Sequence, residues 1–92
     1  MADIDLAPGL APAHRLPRPP SARFGPVIRE LRESRGWSQE YLAGQASLNR
    51  SYMGEIERSA AMPSLATAEK LAHALQVALS ELISRCERTA TA

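Results

Sequence analysis

Between residues 24 and 86 the apolar positions recur at helical spacing. Phe24, Val27, Ile28 and Leu31 stand at i, i+3, i+4 and i+7, the stripe of an amphipathic helix. Pro26 suits its first turn, and Gly36 can take the left-handed position that closes it after Arg35. Ser38 then caps a second helix with Gln39 and Glu40 in its first turn and Leu42, Ala43 and Ala46 facing inward. Asn49 caps a third helix that runs through Arg58. Ser64 caps a fourth with the stripe Leu65, Ala68, Leu71, Ala72 and Leu75, and a fifth carries Leu79, Leu82, Ile83 and Cys86. No segment alternates as a strand would, and nothing repeats at a solenoid period. The expected fold is all-α, with five short helices.

The third helix has an unusual division of faces. With Arg50 at zero on a 100° wheel, Tyr52, Ile56 and Met53 fall at about 200°, about 240° and about 300°, and form the packed back. Arg50, Gly54, Arg58, Ser51 and Glu55 share the opposite arc, from 0° to about 140°. Helices 2 and 3 meet across the short link Ser47, Leu48 and Asn49. A braced helix followed by one with an apolar back and a polar front is the layout of a helix-turn-helix.

The amino-terminal segment breaks the pattern, because six of the seven prolines fall in the first 26 residues. Residues 1–23 are expected to form an arm outside the fold, residues 24–86 the domain and residues 87–92 a tail. The net charge is +1, and the span from 24 to 86 balances to zero, so the surplus of base lies in the arm at Arg15, Arg18 and Arg23. A nucleic-acid binder built from the domain would depend on where its charges sit.

At 92 residues the chain has room for one small domain and none for a cleft between lobes. No basic start with an apolar run marks a secretory signal, and no stretch is apolar enough to span a membrane. Cys86 is the single cysteine, which excludes an internal disulfide or a structural zinc site and fits a reducing interior. A cytoplasmic location is expected. No metal or cofactor is expected either. Glu55 and Glu57 point about 200° apart and cannot work as an acid/base pair. His73 and Cys86 stand on separate helices without a third member, so no enzyme activity is expected.

The pieces IRELRESRGWSQEYLA, NRSYMGEIER, PSLATAEKLAHAL and VALSELI occur in an order and spacing that resemble the Xre-like helix-turn-helix family, the Cro/cI repressor type. The resemblance covers Phe24 to Ile83. It implies a compact five-helix, lambda-repressor-like domain that binds double-stranded DNA as a transcriptional regulator, as a homodimer on a two-fold-symmetric operator, with Leu79, Leu82 and Ile83 of the last helix expected to help form the dimer. By position, it implies that Gln39 holds a phosphate and steadies the recognition helix, and that Arg50, Ser51 and Glu55 contact bases. It offers Tyr52 and Arg58 as phosphate contacts, and leaves Asn49 a cap first and a contact second. Arg32 and Glu57 match a family ion pair between helices 1 and 3. Trp37 is expected to anchor the link before helix 2.

The chain departs from the family at three joints. Ser47, Ser59 and Gln76 stand where the family favours glycine, and Ala60 and Ala61 replace a basic backbone contact. Arginines of the arm could compensate by reaching phosphates or a minor groove. The alternative function on the same scaffold is a protein-interaction module or an antitoxin-like repressor with a protein partner.

Overall fold

A computed structural model of the chain describes residues 19–91. Residues 1–18, which hold most of the expected arm, and residue 92 lie outside the described part. The helices are α1 (Phe24–Ser34), α2 (Gln39–Gln45), α3 (Arg50–Glu57), α4 (Leu65–Leu75) and α5 (Leu79–Thr91), and there is no strand among the described residues.

Local chemistry sets the starts of these helices. Ser38, Asn49 and Ser64 each adopt an extended backbone and accept the amide of the third residue on, Tyr41, Tyr52 and Thr67, at 3.0, 2.8 and 3.1 Å. Each removes one of the four unpaired amides of a helix start. The ends use left-handed residues. Gly36 has φ +71°, and Ser47, Ser59 and Gln76 have φ of 59°, 62° and 61°. All three joints where the family favours glycine thus keep the left-handed backbone with a Cβ in place, at about 1–2 kcal/mol of steric cost each.

The core lies between α1, α2, α3, α4 and α5, with Ile28, Leu42, Met53, Ile56, Leu71, Leu75, Leu82 and Cys86 as its largest fully buried side chains. Gly25 sets the approach of α1 to α3: a Cβ there would overlap the carbonyl oxygen of Ile56 and lie 2.8 Å from that of Glu57. Arg35 ties the other end together, donating from Nη2 to the Leu75 carbonyl at 2.7 Å and from Nη1 to the Leu31 carbonyl at 3.0 Å. Those carbonyls are orphans of helix ends, and a cation there is favoured. Trp37 is half-buried against the core, with Tyr41 edge-on at 4.9 Å between ring centroids.

Four features differ from the sequence-based expectation. Leu65 fits the stripe of α4 but is 68% exposed, at the first position of the helix between the exposed Ser64 and Ala66. Leu82, expected to help form a dimer surface, is fully buried in the protein's own core, whereas Ile83 beside it is 39% exposed. Pro20–Arg23 form a 3-10 turn packed against α5, so the end of the expected arm is part of the fold, and Arg23 with it. Finally, α5 continues through the expected tail to Thr91. No glycine or proline interrupts it, and Glu81 bridges to Arg85 at 3.1 Å and Arg88 at 3.2 Å along its outer face.

Candidate nucleic-acid interface

The link between α2 and α3 is held by backbone bonds from Ser47 N to Gly44 O (3.2 Å) and from Leu48 N to Ala43 O (2.8 Å). The second satisfies an orphan carbonyl of α2, as left-handed helix closures do. Leu48 packs against the core, and Asn49 starts α3 one residue later. The direction in which α3 leaves is therefore fixed by a capped turn.

The back of α3 follows the wheel. Met53 and Ile56 are buried, and Tyr52 is partly buried against the core. Asn49, Arg50, Ser51, Glu55 and Arg58 are exposed on the outer side. Gln39, Arg50, Ser51, Gly54, Glu55 and Arg58 line one open concavity of about 310 Å³. The structure thus brings six polar or small residues of α2 and α3 to one surface, five of them among the residues expected to touch DNA by position. Tyr52 stands at the margin with its ring turned to the core, and Asn49 is engaged as a cap.

Gln39, Glu57 and Arg32 form the support beneath this surface. Arg32 Nε donates to Glu57 Oε2 at 2.7 Å and Arg32 Nη2 to Glu57 Oε1 at 3.0 Å, a two-pronged pair between α1 and α3. Gln39 Nε2 donates to Glu57 Oε1 at 3.0 Å, and Arg32 Nη1 donates to the Trp37 carbonyl at 2.7 Å. The Glu57 side chain is 2% exposed and that of Arg32 11%. The hydrogen bond to Glu57 is the main cause that raises Arg32 above its ordinary range, against the cost of burial.

Two features of the surface were not evident from the sequence. Gly54 sits on the front but is buried, covered by side chains of its neighbours: a Cβ on it would lie 3.0 Å from Arg58 Nη1 and 3.8 Å from Gln39 Oε1. The i, i+4 spacing of Gly54 and Arg58 could have suggested this contact. The Gln39 bond to Glu57 crosses 18 residues and had no local signal.

Other candidate chemistry is dispersed. His73 lies on α4 and Cys86 on α5, and no group of three potential metal ligands occurs among the described residues. No helix among the described residues is long and apolar enough to cross a membrane.

The helix order, the capped turn and the polar front of α3 together define a helix-turn-helix protein. The chain belongs to the helix-turn-helix family HTH_3, of the Xre/Cro-cI type, which matches residues 28–82. It is 39% identical over 64 residues to the HTH-type transcriptional regulator SutR of Escherichia coli (strain K12), covering 68% of this chain and 36% of that protein. Among solved structures it is similar to the restriction-modification controller protein C.AhdI from Aeromonas hydrophila, at 46% identity and a TM-score of 0.64, covering 66% of this chain and 92% of that one. It is also similar to SinR solved in complex with DNA, at 33% identity and a TM-score of 0.61, covering 65% of this chain and 97% of that one. The chain spans 36%, 53% and 41% of the length of three curated relatives it matches.

Proposed function

We propose that the protein is a sequence-specific DNA-binding transcriptional regulator whose α3 lies in the major groove. The observation that carries this reading is the exposed polar front of α3, held rigidly from behind by Met53, Ile56 and the Arg32–Glu57 pair. The similarity to SinR, solved with DNA, supports it. Arg50 can fork onto guanine O6 and N7, Ser51 accepts or donates to either base of a pair, and Glu55 accepts from cytosine N4 while resisting phosphate. Gln39 contributes at the start of α2, where the helix end favours an anion. Its bond to Glu57 makes it a brace for α3 as well. Tyr52 can offer its hydroxyl to a phosphate at the edge of the surface, Arg58 adds a second cation to the front, and Asn49 contributes chiefly through its cap.

A homodimer on a two-fold-symmetric operator follows from this reading, with half-sites centred about 10 base pairs apart. Leu79 and the exposed Ile83 are the residues of α5 available to such a contact. The reading places the protein in the cytoplasm and assigns it no catalytic step and no cofactor. Selecting bound sequences from a random duplex pool tests it. A two-fold-symmetric consensus is expected; no enrichment, with no salt-sensitive binding to random duplex at micromolar protein, overturns it in favour of a protein-interaction module.

A further inference from the structure

We infer that Arg58 is a specificity-determining residue that reads a guanine, seated for that purpose in the notch left by Gly54. This rests on the DNA reading above and deepens it. By wheel position Arg58 stands at about 80°, near the middle of a front that runs from 0° to about 140°. It caps the end of α3 just after Glu57, remote from the base-reading first turn, and from sequence it passes for a phosphate contact. The structure turns its guanidinium back to Gly54, one turn nearer the helix start, with Nη1 3.0 Å from where a Cβ on Gly54 would stand.

Gly54 makes this seat possible. Any larger residue would place its Cβ 3.0 Å from Arg58 Nη1, closer than carbon and nitrogen normally pack. The backbone of α3 at Gly54 is ordinary helix, so the glycine is not needed for its conformation. What its missing side chain supplies is room for the guanidinium.

Gln39 completes the arrangement. The Glu57 carboxylate can only accept, so it fixes the Gln39 amide with Nε2 inward and Oε1 toward Gly54. A planar donor fork, Arg58, therefore shares the concavity with two acceptors, Gln39 Oε1 and the Glu55 carboxylate, beside the first-turn Arg50 and Ser51. In the major groove a G·C pair presents two acceptors on guanine beside one amino donor on cytosine. The donor and acceptor sets are complementary. A phosphate, which presents acceptors alone, would leave the Glu55 carboxylate unmatched.

Selection from a random duplex pool with the full chain, followed by competition with single-base variants of the best site, tests the assignment. Three variants are compared with wild type: Arg58→Ala, Arg58→Lys, which keeps the charge without the fork, and Gly54→Ala, which improves helix propensity but fills the seat. Circular dichroism checks that each is folded. Expected is the loss of one guanine per half-site from the consensus in all three, with the best site weakened about tenfold or more and the remaining positions still enriched. An unchanged consensus with every sequence weakened alike in Arg58→Ala overturns the inference and makes Arg58 a phosphate contact, leaving the DNA reading intact. An unchanged affinity and consensus overturns it too. A wild-type protein that enriches no sequence removes the DNA reading, and the inference with it.

Discussion

Gln39 Nε2 donates to Glu57 Oε1 at 3.0 Å, so the first residue of α2 is bonded directly to the last residue of α3. Arg32 holds the same carboxylate from α1. Three helices thus converge on one buried side chain, and the angle between the two helices of the motif is set by a polar junction as well as by the apolar core.

Glu57→Ala is expected to destabilise the fold by about 3–5 kcal/mol, because it leaves the largely buried Arg32 guanidinium without its buried carboxylate partner, the Trp37 carbonyl remaining as an acceptor. The measurement is the shift of the urea unfolding midpoint. Gln39→Ala removes one uncharged donor and is expected to cost about 1 kcal/mol. A cost for Glu57→Ala no larger than for Gln39→Ala would show that the pair is exposed in solution.

Gly25→Ala is expected to cost about 1–3 kcal/mol, since the added carbon meets backbone oxygens of Ile56 and Glu57, which cannot rotate away. Gly54→Ala is the contrasting case. There the obstacle is the end of the Arg58 side chain, which can move, so thermal stability should hold or rise. Thermal melts of the two variants side by side check the difference.

Ser47→Gly and Gln76→Gly are each expected to stabilise by up to about 1 kcal/mol by relieving a left-handed backbone, part of the gain being lost to the greater freedom of glycine when unfolded. The melting temperature should rise by several degrees in the double variant. Gly36→Ala is expected to shift it the other way, since φ there is +71° although nothing crowds the position.

Burial pushes the Cys86 thiol up, Arg23 opposing the shift in part. A thiol whose folded pKa lies above its unfolded value stabilises fully below the ordinary thiol range and loses that contribution as pH rises through and beyond it. Stability is therefore expected to fall as the pH is raised through the ordinary thiol range, less so in Cys86→Ala. Cys86 in the folded protein should resist thiol reagents that modify it at once in urea.

Deleting residues 1–18 leaves the Pro20–Arg23 turn, and its packing on α5, in place. If Arg15 and Arg18 neutralise phosphates, the deletion lowers the slope of log K against log salt by about 2. An unchanged slope would show that these residues touch no phosphate.

The caps at Ser38, Asn49 and Ser64 and the stripes of α1 and α3 were legible because helix starts and helix faces are set by residues three and four apart. The Arg32–Glu57 pair was legible only through the family resemblance. The Gln39 to Glu57 bond, the fit of Gly25 against α3 and the exposure of Leu65 depend on where distant elements pass one another. A period alone does not say which turn of a helix has a neighbour above it. The contact of the Arg58 guanidinium with Gly54 escaped the sequence for a related reason: it depends on the direction of the side chain, not on its position on the wheel.

The extension of α5 to Thr91 has a further consequence. Among the α5 residues whose burial is described, Cys86 is the last in the core, and Glu87 and Arg88 are exposed. Amide exchange along this helix should be graded, slow around Leu82 and fast beyond Cys86, and added salt should steepen the gradient by screening the Glu81 bridges to Arg85 and Arg88. The carboxy-terminal turns would then fray and re-form in the folded state without disturbing the helix pair at the other side of the domain.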